Sequence, residues 1–502
     1  MTIAIGCATN TLDDWREILN GSGFTLADEA ARNIDRGEAV LREIMAEDQP
    51  VYGLNTGFGK LASERIARSD LGTLQRNLIL SHSAGVGPWI EPDVVRLIIA
   101  LKLASLAHGC SGMRRSTAEL MVRVVDEGLL PAIPAQGSVG ASGDLAPLAH
   151  LGAALIGEGE FLVDGKAQPA APLLRARGIE PLVLSAKEGL ALVNGTQVST
   201  ALAIKGLFGI ETALLTSLVA GAMSLEGVRG TTVPFDARIH ALRPHQGQRD
   251  VARALQRLLE GSGIRHRAGR TQDPYSFRCM PQVQGACLDA LRHAASILEV
   301  EARSVTDNPL IFDGGDVLSG GNFHAEPVAF AADHLALAAV ETGSISERRT
   351  TLLLDAEFSG LPPFLAEDAG LNSGFMITQV TAAALVAESR QMAHPAVVDS
   401  IPTSANQEDH VSMATHGARR LLPLSGNIHA VIAIELLAAA QALDLLALPS
   451  SPALERARAV IRERIPRLDQ DRWLKPDLEA ATALVATRAV IDCLDRDILP
   501  DL

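Results

Sequence analysis

Positive charge is scarce in this sequence. Lysine and arginine total 44 against 59 aspartates and glutamates, only six of the basic residues are lysine, and the net charge is -15. A surface of that sign repels nucleic-acid phosphates and acidic membranes, so neither is an expected partner. Cysteine is sparse as well: Cys7, Cys110, Cys279, Cys287 and Cys493 are odd in number, scattered, and without the C-x-x-C spacing of a zinc or redox site. They are expected as free thiols in a reducing cytoplasm. The stretch MTIAIGCATNTLDDW has no basic start followed by a long apolar run, so no secretory signal is expected. Uninterrupted apolar runs are missing too. Ile428 to Leu448 is the most apolar stretch, yet His429, Glu435, Gln441 and Asp444 break it and would be expensive in a bilayer, so it reads as a buried helix of a soluble protein.

What is present is helix. From about Ser185 onward, segments rich in Ala and Leu continue for roughly twenty residues with few Gly or Pro. Ser185 and Glu188 form an S-x-x-E capping box ahead of GLALVNGTQVSTALAIKGLFGI, which predicts a helix starting near residue 186. Further helices are predicted over Thr212–Glu226, Gln284–Arg303, Ala325–Glu347, Phe375–Met392, Ile428–Leu446 and Ala480–Leu494. Strands are few: Phe161–Val163 before Asp164-Gly165, and Leu310–Phe312 before Asp313-Gly314-Gly315, both with hairpin turn chemistry. At 502 residues the chain exceeds what one core usually holds. The expectation is a mainly α protein: an N-terminal globular domain (1–108) carrying the Tyr52 loop and His82, then a long central helical bundle (109–502), with a few short β-hairpins.

Between the helices lie loops dense in Gly, Ser, Asn, Pro and Thr, and the two tyrosines of the chain, Tyr52 in VYGLNTGFGK and Tyr275 in TQDPYSFRCMPQ, both fall in them. A lone tyrosine ring is usually core filling; two of two in polar loops points to chemistry. A phenol titrates near ~10, so a tyrosine acting as a base near neutrality needs nearby positive charge or hydrogen bonds to its phenolate. Arg278 could supply that charge, or could hold a carboxylate bidentately, although a lone arginine is more often a surface ion-pair partner. Glu408, in SIPTSANQEDHVSM, has small or polar neighbours and would demand a partner if buried. His82, in LILSHSAGVG, could bind substrate or be structural in equal measure. No HExxH or similar ligand pair exists among the 13 histidines, so no metal is expected.

The segment GSVGASGDLAPLA places three glycines and two serines before a helix start. An isolated G-A-S-G-D is ordinarily a helix cap, with Ser142 or Asp144 accepting backbone N–H bonds. Small residues also suit an unusual backbone reaction. The Gly143 nitrogen attacks the Ala141 carbonyl, closing a five-membered ring that expels the carbonyl oxygen as one water, and Ser142 loses a second water across its Cα–Cβ bond. The glycines supply the conformational freedom and access this requires.

With YGLNTGFG, LILSHSAGVG, GSVGASGDLAPLAH, ALVNGTQ, QDPYSFRC, SVTDNPL, SGGNFHAEP and IPTSANQEDHVSM in order, nearly the whole chain resembles the methylidene-imidazolone lyases and aminomutases that act on histidine, phenylalanine and tyrosine. Ser81-His82, the QDPYS block and Gln407-Glu408-Asp409-His410 resemble the histidine branch. A carboxylate suits an imidazole and offers a phenyl ring nothing. The resemblance implies a carbon–nitrogen lyase, opening histidine degradation by releasing ammonia to leave trans-urocanate. Its electrophile would be a methylidene-imidazolone built from Ala141, Ser142 and Gly143, with no external cofactor. It further implies Tyr52 as base and Tyr275 as relay or amine contact, or the two exchanged; Arg278 on the carboxylate; Asn194 and Gln272 on substrate or electrophile; Phe323 positioning; and His82 with Glu408 receiving the imidazole. The family's members are mostly homotetramers whose active sites draw on three subunits, and the same is expected here. Cys110 in HGCSGMRR and Glu388-Ser389-Arg390 depart from the histidine pattern, in packing or outer positions. Tyrosine ammonia-lyase, an aminomutase, and an inactive helical scaffold are the rival readings.

Overall fold

A computed structural model of the chain describes residues 2–46, 54, 56, 66–264, 266 and 271–502. Tyr52 lies outside the described residues. By contacts the chain divides into two compact units. The first comprises Met1–Lys205, Ala295–Asp333 and Pro395–Arg419; the second comprises Gly206–Ala294, His334–His394 and Arg420–Leu502. The chain does not part at residue 108. Helix Pro92–Leu106, buried along nearly its whole length, packs on helix Arg115–Asp126 and strand Leu130–Pro131, which joins residues beyond 108 to the N-terminal part.

The first unit mixes helices with short strands. Strand Thr2–Ile5 pairs in parallel with Gly23–Leu26, a contact absent from the sequence expectation because four-residue strands carry almost no periodic signal. The expected Asp164-Gly165 hairpin is present: Glu160–Val163 pairs with Lys166–Pro169, and both turn residues have positive φ, 50° and 74°. Leu310–Ile311 pairs with Val317–Leu318 around the Asp313-Gly314-Gly315 turn. Strand Val86–Trp89, just after His82, pairs antiparallel with Pro134–Gln136, just before the Ala-Ser-Gly segment. The capping box is half formed, with Glu188 Oε2 accepting from the Ser185 N–H at 2.8 Å; the same carboxylate takes the Thr117 hydroxyl and the Arg114 guanidinium.

The second unit is helical. Helix Leu421–Leu446 is buried over most of its length, and its polar residues are satisfied. Glu435 accepts from Ser224 Oγ (2.7 Å), Ser346 Oγ (2.6 Å) and the Arg349 guanidinium (2.5 and 2.8 Å). Gln441 bonds the backbone of Leu365 and Leu468. Among the described residues three segments, Gln197–Gly227, Glu326–Leu354 and Ala414–Leu446, are long and apolar enough to cross a membrane by length and composition; 83%, 67% and 83% of their most apolar windows are buried within the protein. The expected helix Ala480–Leu494 is two helices, Lys475–Ala486 and Ala489–Asp492, parted where Arg488 turns left-handed (φ 63°).

Candidate active site

The Ala-Ser-Gly segment is a tight turn between strand Pro134–Gln136 and helix Leu145–Leu155. Gly140, Ser142 and Gly143 all have positive φ (80°, 53° and 79°), so Ser142 holds a conformation that a residue with a side chain adopts at a cost of about 1–3 kcal/mol. Gly143 is demanded by close approach, since a Cβ there would stand 2.2 Å from the Gly195 carbonyl oxygen. The Asp144 N–H donates to that oxygen at 2.7 Å, and the Gly195 N–H points at the Ser142 carbonyl at 3.5 Å. From the other side, a Cβ on Gly140 would meet Ser412 Oγ at 2.1 Å, and the Met413 N–H donates to Val139 O at 2.9 Å. A turn folded back at Ser142, with an unhindered nitrogen at Gly143, fits the ring closure that would make a methylidene-imidazolone.

Asp144 does not act as the cap an isolated motif would suggest. It stands at the start of helix Leu145–Leu155 but makes no side-chain bond to that helix. Its fully buried carboxylate instead accepts from the Ser199 N–H (2.8 Å) and Ser199 Oγ (3.0 Å), capping the first turn of helix Gln197–Gly227, and from Ser138 Oγ (3.3 Å) and Thr415 Oγ1. Burial pushes its pKa up, and these hydrogen bonds partly counter that.

The wall facing the turn is the Asn194–Thr196 segment. The sequence predicts one helix through it, but helix Glu188–Val193 ends at Asn194, which is extended (ψ 140°), before helix Gln197–Gly227 begins. Asn194 is buried. Lys102, also buried, donates from Nζ to the carbonyls of Ala191 (2.8 Å) and Asn194 (2.6 Å), the free carbonyl end of the short helix. Its pKa falls to about 8, mainly from burial; Lys187 lowers it further, while Asp307 and Asp144 pull it back. Lys187 donates to Ser111 O (2.9 Å) and Asp307 Oδ2 (3.1 Å). In the sequence Asp144 reads only as a local helix cap, and Lys102 carries no role. A lysine inside RLIIALKLASL was the one visible sign.

His82 ends helix Leu71–His82, with Ser81 Oγ 3.0 Å from its Nδ1. Burial lowers its pKa; the Leu78 backbone and the Glu408 carboxylate oppose that, which places the two expected imidazole-binding side chains within electrostatic reach. Glu408 is half-buried, and its Oε2 accepts from Thr403 Oγ1 and Ser404 Oγ, both at 2.7 Å. The loop that folds it back carries three consecutive left-handed residues, Ser404, Ala405 and Asn406. Phe323 is half-buried beside His324, whose Nε2 donates to His410 O (3.2 Å) and whose ring stacks on His410 with centroids 5.8 Å apart. The Phe323 and Glu408 loops are thereby neighbours.

The remaining expected residues belong to the second unit. Gln272 is exposed, and Tyr275, which starts the short helix Tyr275–Arg278, is 70% exposed. The Arg278 guanidinium sits over the Tyr275 ring, 4.7 Å from its centroid, and Arg278 Nε is buried without a hydrogen-bond partner among the described residues. Phe277 between them is buried and stacks on Phe358, which anchors the turn and leaves Tyr275 outward. Among the described residues, no group of three or more His, Cys, Asp or Glu side chains could hold a metal ion.

The sequence matches the family model for aromatic amino acid lyases over residues 10–463. The chain is an aromatic amino acid lyase. It is therefore a carbon–nitrogen lyase with the helical fold of that family. Among solved structures, it is 40% identical to histidine ammonia-lyase from Trypanosoma cruzi, covering 100% of this chain and 96% of that one with a TM-score of 0.93. It is 36% identical to tyrosine aminomutase from Streptomyces globisporus, covering 98% of both chains with a TM-score of 0.95. A third relative is Pantoea agglomerans phenylalanine aminomutase, 30% identical over 97% of this chain and 99% of that one, with a TM-score of 0.92.

Proposed function

We propose that this lyase removes ammonia from L-histidine to give trans-urocanate, using a methylidene-imidazolone formed from Ala141, Ser142 and Gly143. The observation that carries the choice of histidine is the His82–Glu408 pair: a carboxylate held by two hydroxyls, near an imidazole that burial keeps below its ordinary pKa. A substrate imidazole brings the N–H donors that a carboxylate can use, and a phenyl ring does not. The imidazolone, once formed, supplies an electrophile for the substrate amine.

The chain's own residues do the rest. Arg278, planar and permanently charged, holds the substrate carboxylate. Asn194 and Gln272 hydrogen-bond substrate or electrophile, and Phe323 packs on the reacting groups. Tyr52 takes the β-proton and Tyr275 relays protons or contacts the amine, with the reverse assignment equally open to test. The active sites are shared within a homotetramer, and the enzyme works in a reducing cytoplasm, where its free cysteines persist as thiols.

The likeness to the tyrosine aminomutase, at a TM-score of 0.95, supports a second reading in which the amine is returned to the β-carbon. Incubation with L-histidine, L-tyrosine and L-phenylalanine in turn separates the two. Ultraviolet-absorbing urocanate from histidine alone is expected, together with a polypeptide lighter by two waters. A β-amino acid product, or turnover of tyrosine in preference to histidine, refutes the histidine assignment. A chain of full mass refutes the imidazolone.

A further inference from the structure

Ring closure at Ala141-Ser142-Gly143 leaves the Ser142 carbonyl conjugated with the new methylidene carbon. The more electron density that oxygen accepts, the more electrophilic the methylidene becomes. What hydrogen-bonds to Ser142 O therefore matters, and the group aimed at it is the Gly195 N–H. That N–H belongs to the Asn194–Gly195 peptide, and the carbonyl of the same peptide receives Lys102 Nζ at 2.6 Å. An ammonium on a peptide carbonyl draws density from its nitrogen and makes its N–H a stronger donor.

Resting on the imidazolone reading above, we propose that Lys102 is a positioning residue for the electrophile: by binding the Asn194 carbonyl it fixes and polarises the Asn194–Gly195 peptide toward the Ser142 carbonyl. Three observations converge on this. Lys102 is fully buried and donates to two backbone carbonyls, Ala191 and Asn194, so these contacts serve this one segment. The segment is the wall of the turn: Gly195 O receives the Asp144 N–H and stands where a Gly143 Cβ would be. The charge is kept although burial opposes it, with Asp307 and Asp144 supporting it and Lys187 opposing it.

The test uses purified full-length protein without substrate. Intact mass reports ring closure, the near-ultraviolet band of the ring reports its polarisation, and the rate at which an added thiol bleaches that band reports electrophilicity. Lys102→Met is expected to bleach about tenfold more slowly, the effect of losing roughly one charge-assisted hydrogen bond, with its band shifted. In the wild type the band is expected to move as pH rises through about 8. Lys102→Arg, which keeps the charge at all these pH values, is expected to restore the neutral-pH band and abolish its pH response. A ring-bearing Lys102→Met protein with wild-type band and bleaching rate overturns the proposal. If that variant does not close its ring, a Lys102→Arg band that still moves through about 8 overturns it instead. A wild-type chain that has not lost two waters refutes the underlying imidazolone reading, a separate outcome.

Discussion

Removing the Asp144 carboxylate tests how the turn is held. Its four hydrogen bonds come from three residues, and they are not equally replaceable. Thr415 Oγ1 also donates to Ser138 Oγ at 2.9 Å, and Ser199 Oγ also reaches Thr196 O at 3.0 Å, so the hydroxyls re-pair when the carboxylate is gone. The Ser199 N–H, in the first turn of helix Gln197–Gly227, does not. Asp144→Ala is expected to cost about 1–3 kcal/mol, the value of one orphaned buried donor at a helix N-terminus. Asp144→Asn keeps an oxygen for that N–H and should cost about 1 kcal/mol or less.

The pH dependence has a definite sign. Burial raises the native pKa of Asp144 above its ordinary 3.8. Between those two values the unfolded chain has released the proton and the native one still holds it, so stability falls as pH rises through the window. Asp144→Asn lacks this slope. Denaturant midpoints of wild type minus Asp144→Asn should therefore decline as pH climbs from 3.8 and then level off. Mass spectrometry should show full ring closure in Asp144→Asn and a reduced fraction in Asp144→Ala, where no carboxylate ties the turn to Ser138, Ser199 and Thr415. A difference curve that rises with pH, or an Asp144→Ala protein as stable as wild type, refutes this account of the carboxylate.

Two further perturbations bear on separate parts of the molecule. Glu408→Ala should lower kcat/KM for histidine by about 30- to 1,000-fold, equivalent to about 2–4 kcal/mol for a lost charge-assisted contact, while any residual turnover of tyrosine changes little; equal losses on both would remove its role as imidazole partner. In the second unit, Arg349→Met leaves the fully buried Glu435 with only the Ser224 and Ser346 hydroxyls and should cost about 3–5 kcal/mol in thermal or denaturant unfolding. The double replacement Arg349→Met with Glu435→Leu should recover most of that, and a double variant as unstable as the single one would show that the pair is not what the Met substitution disrupts.

The long helices were legible because an apolar stripe repeats with the helix period over many residues. Met280–Ala302 and Met376–Met392 begin and end within a few residues of expectation. The breaks were harder to see. Asn194-Gly195-Thr196 sits inside an apolar pattern that continues on both sides, and nothing local announces that Gly195 must leave the helix to meet Gly143. The same holds at Arg488, a good helix former whose left-handed backbone parts two helices. Of the residues proposed for the site, Ser142, His82 and Glu408 stand out through their blocks. Asp144 looked like a local cap because sequence shows the helix that follows it, not the helix 53 residues later that it serves. Lys102 and the Thr403 and Ser404 hydroxyls act through contacts that only the folded chain creates.

The residues that defeat sequence reasoning share a physical character: each is locally unfavourable. Lys102 and Asp144 are charges without solvent, and burial works against the ionised form of both. Lys187 combines complete burial with a left-handed backbone. Ser404, Ala405, Asn406 and Met413 are left-handed without being glycine, and all lie in the loops around the turn or the Glu408 carboxylate. At Lys102 the fall from 10.5 to about 8 corresponds to about 3 kcal/mol against keeping the charge at neutral pH. Such costs are tolerated only if the surrounding helices supply the stability and the strained groups supply something else. On the imidazolone reading, that is a backbone bent at Ser142 and pressed against Gly195, with a buried acid on one side and a buried ammonium on the other. Relieving either charge should leave a protein that still folds and whose turn no longer does its chemistry as well.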